Sequence, residues 1–293
     1  MASAISVAKS RVTWLRNVQS TTRRLRLPWI SLVIVSILLI CAVFAPLVAP
    51  HDPHRIDMLK ARMAPGEDLS YPLGTDVLGR DMLSRLIYGA RTSVFMALVA
   101  LGSGAFAGTV LGLISGFKGG WIDAIIMRAT DASLGFPTIL VAMIVMVLLG
   151  AGIENIILAV ALNVWDRFAR MIRGDVLSIK EMDFVTLAKV AGVPGPVIIW
   201  RHIFPNAVNT FMVMTSLQIG SVILLEASLS FLGLGMAPGA PAWGIMVAEG
   251  RTVILDMWWL SLLPGLAITA VVLAFNFFGD WMRDALDPKL RRI

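Results

Sequence analysis

Long apolar runs dominate this sequence and restrict what it can fold into. Six of them carry almost no charge, and each could cross about 30 Å of hydrocarbon as a helix rising about 1.5 Å per residue. In lipid every backbone N–H and C=O must be paired within the protein, so such runs form helices or a closed barrel. Because the runs are continuous rather than alternating, we predict helices, at about residues Trp29–Val48, 93–115, 122–149, 153–168, 207–225 and 258–278.

The composition excludes the common soluble classes. Of 293 residues, 57% are hydrophobic and 15% are charged, and the mean hydropathy is +0.81. An ordinary soluble chain is about 45–50% apolar and about 25% charged. Cys41 is the one cysteine, so no internal disulfide can form, and the three histidines lack metal-site spacing. The expected fold class is therefore all-α and transmembrane, with six helices.

The basic residues predict which ends of the helices face the cytoplasm. The net charge is +6, but the bases lie between apolar runs rather than on one face, which argues against a nucleic-acid partner. Lys and Arg next to membrane spans are concentrated in cytoplasmic loops. Six crossings then place four regions in the cytoplasm: both termini, the turn at residue 118 and the segment between the fourth and fifth runs. The basic residues of these regions are Lys9, Arg11, Arg16, Arg23, Arg24, Arg26, Lys118, Arg167, Arg170, Arg173, Lys180, Lys189, Arg201, Arg283, Lys289, Arg291 and Arg292.

We divide the chain by composition into a tail, an appended helix, a membrane domain and a second tail. The stretch after the first run is polar and proline-containing, so we expect irregular backbone with short helical turns over 51–90. A Gly/Pro-broken stretch at 231–243 is expected to cap the bundle rather than span it. The divisions are a basic cytoplasmic tail 1–27, the first transmembrane helix and external segment 28–92, the transmembrane domain 93–280 and a cytoplasmic tail 281–293.

Four glycines in the second run recur every fourth residue, at Gly104, Gly108, Gly112 and Gly116. Positions four apart share one helix face, and small residues there let another helix approach closely in lipid. The stripe predicts a helix-packing surface. The partner helix is either in the same chain or in another subunit.

The most informative segment is 183–206, DFVTLAKVAGVPGPVIIWRHIFPN, which we define as the hairpin. Asp183 suits an N-cap, and Gly192 is placed to end the helix in a left-handed conformation. Prolines 194 and 196 suit the start of a second short helix, about 197–202. Pro205 is expected to break the chain again before the fifth run.

The hairpin carries many apolar side chains for a cytoplasmic loop, namely Leu187, Val190, Ile198, Ile199, Trp200 and Ile203. Such side chains are exposed when a partner covers them. The sequence alone leaves two interpretations open. They form a docking site for a partner, or they fold back onto the bundle.

The hairpin resembles the cytoplasmic coupling loop, the EAA loop, of permease subunits in binding-protein-dependent ABC importers. That pattern reads E-A-A, three residues, G, then about ten residues to I-x-L-P. This chain has Thr186-Leu187-Ala188, Gly192 and Ile203-Phe-Pro-Asn206, with Thr186 in place of the usual Glu and Leu187 in place of the first Ala. The resemblance implies that this loop couples to ATPase subunits, through Asp183, Thr186, Leu187, Ala188, Lys189, Gly192, Ile198, Arg201, His202, Ile203 and Pro205.

Three further motifs resemble the dipeptide and oligopeptide branch of these permeases, in particular the C-type subunit. The stretch from Tyr71 to Ser93, YPLGTDVLGRDMLSRLIYGARTS, is the most distinctive. The others are Glu226-Ala-Ser-Leu-Ser-Phe-Leu-Gly-Leu-Gly235 and Arg283-Asp-Ala-Leu-Asp-Pro288. Nickel and glutathione importers share this branch, so the resemblance implies a di- or oligopeptide permease with those solutes as alternatives.

The resemblance also implies the partners and the location. The chain contains no G-x-x-x-x-G-K-[ST] loop, so ATP and Mg²⁺ are expected on two ATP-binding partner subunits and no cofactor on this chain. A second homologous permease would complete a heterodimer of type I importer kind, and a solute-binding protein would deliver the solute outside. The expected location is the bacterial inner membrane, and the chain itself is expected to be non-catalytic.

Two ionisable residues are candidates for the solute path. Glu226 lies in the fifth run, where an acid is a candidate site by default; the alternative is a structural acid with a loop or arginine partner. Asp131 follows Arg128 by three residues, so an ion pair on one helix face is the competing interpretation. A secondary transporter, an intramembrane enzyme and a purely structural subunit are the rival classes.

Overall fold

A computed structural model describes residues 28–286 of the chain. Within that range the protein is almost wholly helical, and its only strand-like pairing is an isolated bridge between Thr75 and Asp81. This confirms the expected all-α class. The predicted tail 1–27 and residues 287–293 of the second tail lie outside the described residues.

Eleven α-helices form the described chain, joined by one short 3₁₀ turn at Met58–Lys60 and one π-helical turn at Ile199–Ile203. They are α1 Trp29–Val48, α2 Met82–Lys118, α3 Gly120–Leu134, α4 Thr138–Leu149, α5 Ile153–Ala161, α6 Trp165–Ile179, α7 Asp183–Val190, α8 Gly195–Ile198, α9 Phe204–Phe231, α10 Trp243–Arg251 and α11 Trp259–Leu286.

Four continuous helical stretches of residues 28–286 are long and apolar enough to cross a membrane. They are α1, α2, the run Gly195–Phe231 and α11. Helices α3 and α4 form a fifth candidate that is bent by 91°. The predicted third span at 122–149 therefore contains a sharp turn.

The predicted fourth span at 153–168 is wrong as a continuous helix. Helix α5 ends at Ala161 and α6 begins at Trp165. Between them the buried side chain of Asn163 donates to the carbonyl of Ala159 at 2.7 Å. Hydropathy registers only that both halves are apolar, so it does not reveal the break between them.

The glycine stripe packs inside this chain. A Cβ on Gly104 would lie 2.8 Å from the carbonyl oxygen of Ala161, and one on Gly112 would lie 2.6 Å from that of Ala169. Real Cβ atoms do not approach so closely. Of the two interpretations left open by the sequence, the structure supports packing of α2 on the α5–α6 region of the same subunit.

The segment before α2 is fixed to the bundle by a buried ionic cluster, which we define as the clasp: Asp76, Arg80, Arg85 and Glu249. Asp76 Oδ2 accepts from Arg80 Nε at 2.5 Å and from Arg85 Nη1 at 2.6 Å. Glu249, on α10, lies 2.9 Å from Arg85 Nη2 and 3.2 Å from Arg80 Nη2. Asp76, Arg80 and Arg85 are all at most 6% exposed.

One loop and two tryptophans complete the attachment of this segment. Arg80 donates to the carbonyl of Gly239, and the Gly239 N–H donates to Glu249, so the 231–243 stretch caps this end as expected. Trp259 Nε1 donates to the carbonyl of Thr75 at 3.1 Å, and Trp243 Nε1 donates to that of Leu86 at 3.0 Å. Residues 51–81 are irregular, as predicted, but α2 begins at Met82, eleven residues before the predicted start at 93.

Candidate functional site

The hairpin at 183–206 is built on a short helix with a tightly defined end. Helix α7 ends at Val190, and Gly192 follows with φ = +75°. The Val193 N–H donates to the carbonyl of Ala188 at 3.1 Å, and the Gly192 N–H donates to that of Lys189 at 3.0 Å. These two bonds are the Schellman motif that ends many helices, so the predicted left-handed glycine is confirmed.

The helix start differs from the prediction. Asp183 is the first helical residue rather than the N-cap, and Met182 occupies the cap position without a side-chain hydrogen bond. An acid in the first turn still interacts favourably with the positive end of the helix dipole. The acidic residue therefore marks the start of the helix, one position after the cap position that we predicted for it.

Pro205 does not break the chain before the fifth run, contrary to our prediction. Helix α8 continues through the π turn into α9, where Pro205 occupies the first turn. Proline is tolerated in the first turn of a helix because the N–H that it lacks would have no partner there. The π turn at Ile199–Ile203 ends just before Pro205, so Pro205 lies in the first turn of α9. Pro194 and Pro196 open α8, as expected.

One side of the hairpin packs against the bundle. Val185, Ile198 and Ile203 are at most 2% exposed, and Ala188 is 8% exposed. They share a hydrophobic cluster with residues of α2, α6 and α9, which include Leu113, Ile172, Val176, Ile179 and Ala207. The second interpretation of the apolar residues is therefore correct for this side, and Ile198 and Ile203 are core residues rather than docking residues.

The other side of the hairpin is exposed. Leu187 is 67% exposed, Val190 is 82% exposed and Trp200 is 51% exposed. Phe184 and Val197 extend the same set of exposed apolar side chains. Contiguous exposed apolar surface on a rigid segment is typical of an interaction site. We define Phe184, Leu187, Val190, Val197 and Trp200 as the apolar face.

Polar and basic residues lie beside the apolar face. Thr186, Lys189, Arg201 and Pro205 are exposed, and His202 is half-buried with its ring 6.5 Å from that of Phe184. The Lys189 ammonium lies 5.9 Å from the ring centre of Phe117, in the last turn of α2. This cation–π contact helps to hold α7 on α2. All the coupling-loop residues predicted from the sequence therefore lie in one structural unit, the hairpin. Thr186 is on its exposed side.

The two path candidates from the sequence lie in different environments. Glu226 is 2% exposed inside the bundle, and its Oε1 accepts from Ser230 at 2.9 Å. Asp131 is exposed and forms an ion pair with Arg170 of α6. The expected pair with Arg128 is wrong, because α3 lies beside α6 and brings a closer base that sequence spacing does not reveal.

A groove that the sequence did not indicate lies where the helix breaks meet. It has a volume of about 410 Å³ and lies between α9, the start of α4 and the α5–α6 junction. Its polar lining residues are Thr138, Asn163, Arg167, Gln218, Ser221 and Ser228. They come from three separate segments of the chain. The only sequence signal that could have predicted the groove is the break between α5 and α6.

No group of three or more His, Cys, Asp or Glu residues within 28–286 is arranged to hold a metal ion. What the described residues provide instead is an exposed apolar face at one end of α2 and a polar groove beside the broken helices. Both features are suited to a membrane subunit that works with partners.

Comparison with known proteins agrees with this architecture. Residues 108–292 match the family described as binding-protein-dependent transport system inner membrane component. The chain belongs to this family. Residues 15–65 match a second family, the N-terminal TM domain of oligopeptide transport permease C. The protein is therefore an inner-membrane permease of binding-protein-dependent transport, and such permeases work together with other subunits.

Individual members of the permease family are similar over most of their length. The dipeptide transport system permease protein DppC of Alkalihalophilus pseudofirmus is 38% identical over 91% of this chain and 87% of its own. The probable D,D-dipeptide transport system permease protein DdpC of Escherichia coli is 40% identical over 88% and 86%. The glutathione transport system permease protein GsiD of Pectobacterium atrosepticum is 40% identical over 88% and 85%.

Proposed function

We propose that this permease is one of two homologous membrane subunits of an ATP-driven importer of di- or oligopeptides. Both chain ends would lie in the cytoplasm, with the clasp outside. Two ATP-binding subunits would bind ATP and Mg²⁺ beneath the hairpins, and a solute-binding protein would deliver peptide on the outer side. The names of the dipeptide relatives support this solute class.

The apolar face carries the proposal. One side of the hairpin is fixed to α2 and α6 through Val185, Ile198 and Ile203, and the opposite side presents Leu187 and Val190 to solvent. A segment that is rigidly attached and apolar on its free side can transmit the movement of a protein docked on it. Closure of the ATP-binding subunits would draw two such hairpins together and switch the access of the path between two states.

The direct test is transport by the reconstituted complex in proteoliposomes. We expect a labelled dipeptide to accumulate only with hydrolysable ATP and the solute-binding protein. Accumulation that is driven by an ion gradient without ATP would show a secondary transporter and contradict the proposal.

A matched pair of variants tests the hairpin itself. We expect Leu187→Asp to lose co-purification of the ATP-binding subunits by at least about tenfold, since the substitution places a charge on an apolar contact. Leu59→Asp is the control, because Leu59 is 99% exposed and lies in the segment before α2. Equal co-purification of the two variants would remove the docking role from the apolar face.

Glutathione is the second candidate solute. It is a short peptide with free carboxylates, and a glutathione permease is as similar to this chain as the dipeptide permeases are. Unlabelled glutathione should be tested as a competitor of dipeptide uptake in the same proteoliposomes. Inhibition would favour glutathione as a solute, and unchanged dipeptide uptake would exclude it.

A further inference from the structure

The groove between α4, the α5–α6 junction and α9 has a polar lining in an otherwise apolar part of the protein. Gln218 lies in the middle of α9, and Ser221 and Ser228 follow it on the groove side. In hydrocarbon such groups would be costly to expose. A polar strip at this position on a spanning helix therefore faces water or another protein rather than lipid.

Broken backbone meets at the same place. Helices α3 and α4 bend by 91° just before Thr138, and α5 ends at Ala161. Ser133 donates to Asp166, in the first turn of α6, at 2.8 Å, which ties the two breaks together. Non-helical backbone at membrane depth is tolerated where it is buried in protein or lines a watery cavity, and discontinuous helices often form the solute sites of transporters.

The charge in the groove comes from one arginine. Arg167, Arg170 and Arg173 follow one another along α6 at three-residue intervals. Arg170 is ion-paired with Asp131, and Arg173 is ion-paired with Asp123. In the described range, Arg167 has no carboxylate within ion-pairing distance, and Gln218 accepts one hydrogen bond from its Nη1 at 3.2 Å. A guanidinium has five N–H donors, so most of its capacity is left for a ligand.

We propose that this groove is the chain's wall of the solute path and that Arg167 binds a carboxylate of the passing solute. The ligand class is a short peptide or related amino-acid conjugate with a free carboxylate. A guanidinium pairs with a carboxylate through two parallel hydrogen bonds, whereas it repels a metal cation. This role of Arg167 rests on the proposed import function, and it adds the residue and the chemical group of the solute that would meet.

Thiol labelling tests whether the groove is wet and positively charged. In the complete complex with Cys41→Ser, we expect Ser221→Cys to react with water-soluble methanethiosulfonates. The sulfonate reagent should be favoured over the trimethylammonium reagent. Adding Arg167→Gln should lower the sulfonate-to-ammonium rate ratio about tenfold, since it removes a nearby unit charge. Arg170→Gln, on the same helix but ion-paired outside the groove, should leave the ratio unchanged.

Two labelling results would overturn the proposal. If the Ser221→Cys variant resists both reagents, the groove is covered by dry protein, such as the second permease. If Arg167→Gln leaves the ratio unchanged, Arg167 does not set the charge of the groove.

Uptake then tests the carboxylate. We expect Arg167→Gln to lower dipeptide uptake at least about tenfold and Arg167→Lys to restore part of it, while Arg170→Gln transports normally. Unchanged uptake in Arg167→Gln would overturn the carboxylate role. ATP-driven uptake by the Cys41→Ser parent, measured first, tests the import function separately from the groove.

Discussion

The clasp and the hairpin lie at opposite ends of α2 and satisfy their side chains in opposite ways. The clasp buries Arg85 between Asp76 and Glu249, so that charges meet charges within one chain. The hairpin buries Ile198 on one side but leaves Leu187 and Val190 exposed on the other. The charged groups of the clasp therefore have partners within the chain, whereas the exposed side of the hairpin is left for the partner that we propose.

The largest effect on stability is expected at the clasp, and its absence would contradict the comparison. Arg85→Met removes a guanidinium that is 1% exposed and leaves Glu249 and Asp76 with fewer partners. Removal of one member of a buried ionic cluster costs about 3 kcal/mol or more. We expect thermal unfolding of the purified permease to show a correspondingly lower free energy of unfolding.

Lys60→Ala is the control for Arg85→Met, because it removes a half-buried cation from the same segment, whereas Arg85 is fully buried. Lys60 lies 3.5 Å from Asp68. The pKa of the Asp68 carboxyl is held below its ordinary value, first by the backbone N–H of Ser70 and less by Lys60. The Lys60 ammonium also lies 4.5 Å from the centre of the Tyr71 ring, so Lys60→Ala should lower the free energy of unfolding by at most about 1 kcal/mol. Equal losses for both variants would mean that the clasp has no special role.

The second prediction sharpens the contrast within the hairpin. Ile198→Asp places a carboxylate in a cluster with Leu113 and Ile172, where it has no partner, and should cost about 3 kcal/mol of stability. Leu187→Asp should change stability by less than about 0.5 kcal/mol, because its side chain is exposed. Thermal unfolding of both variants measures this, and similar costs would contradict the two-sided description.

The smallest effect concerns the turn of the hairpin. Gly192→Ala forces a side chain into a left-handed conformation and should cost about 1 kcal/mol. Gly174→Ala is the matched control, since Gly174 is helical with open space around it, and should stabilise by about 0.5–1 kcal/mol. Hydrogen exchange of the 183–206 amides should rise only in Gly192→Ala. A rise in both would place the weakness elsewhere.

Features governed by neighbours along the chain were predictable from sequence. The spacing of Gly104 to Gly116 gives a close-packed helix face, and Gly192 after an eight-residue helix gives its left-handed end. Hydropathy found the long helices for the same reason, because it averages over adjacent residues.

Features governed by distant residues were not predictable. Arg80 and Glu249 are 169 residues apart, and nothing local pairs them. The burial of Ile198 depends on α2 and α6, and the partner of Asp131 comes from α6 rather than from its own helix. The break between Ala161 and Trp165 lies inside an apolar run, so average hydropathy does not reveal it.

The π turn at 199–203 joins the hairpin to α9 without a loop, so residues Gly195–Phe231 form one stretch of 37 residues. Such a stretch is about 55 Å long, and a tilt of only about 5° at its lower end displaces the upper end by about 5 Å. Gln218, Ser221 and Ser228 lie along its upper half. A small angular change at the hairpin is thus enough to displace the other end of this helix by the spacing of two β-strands, about 4.8 Å.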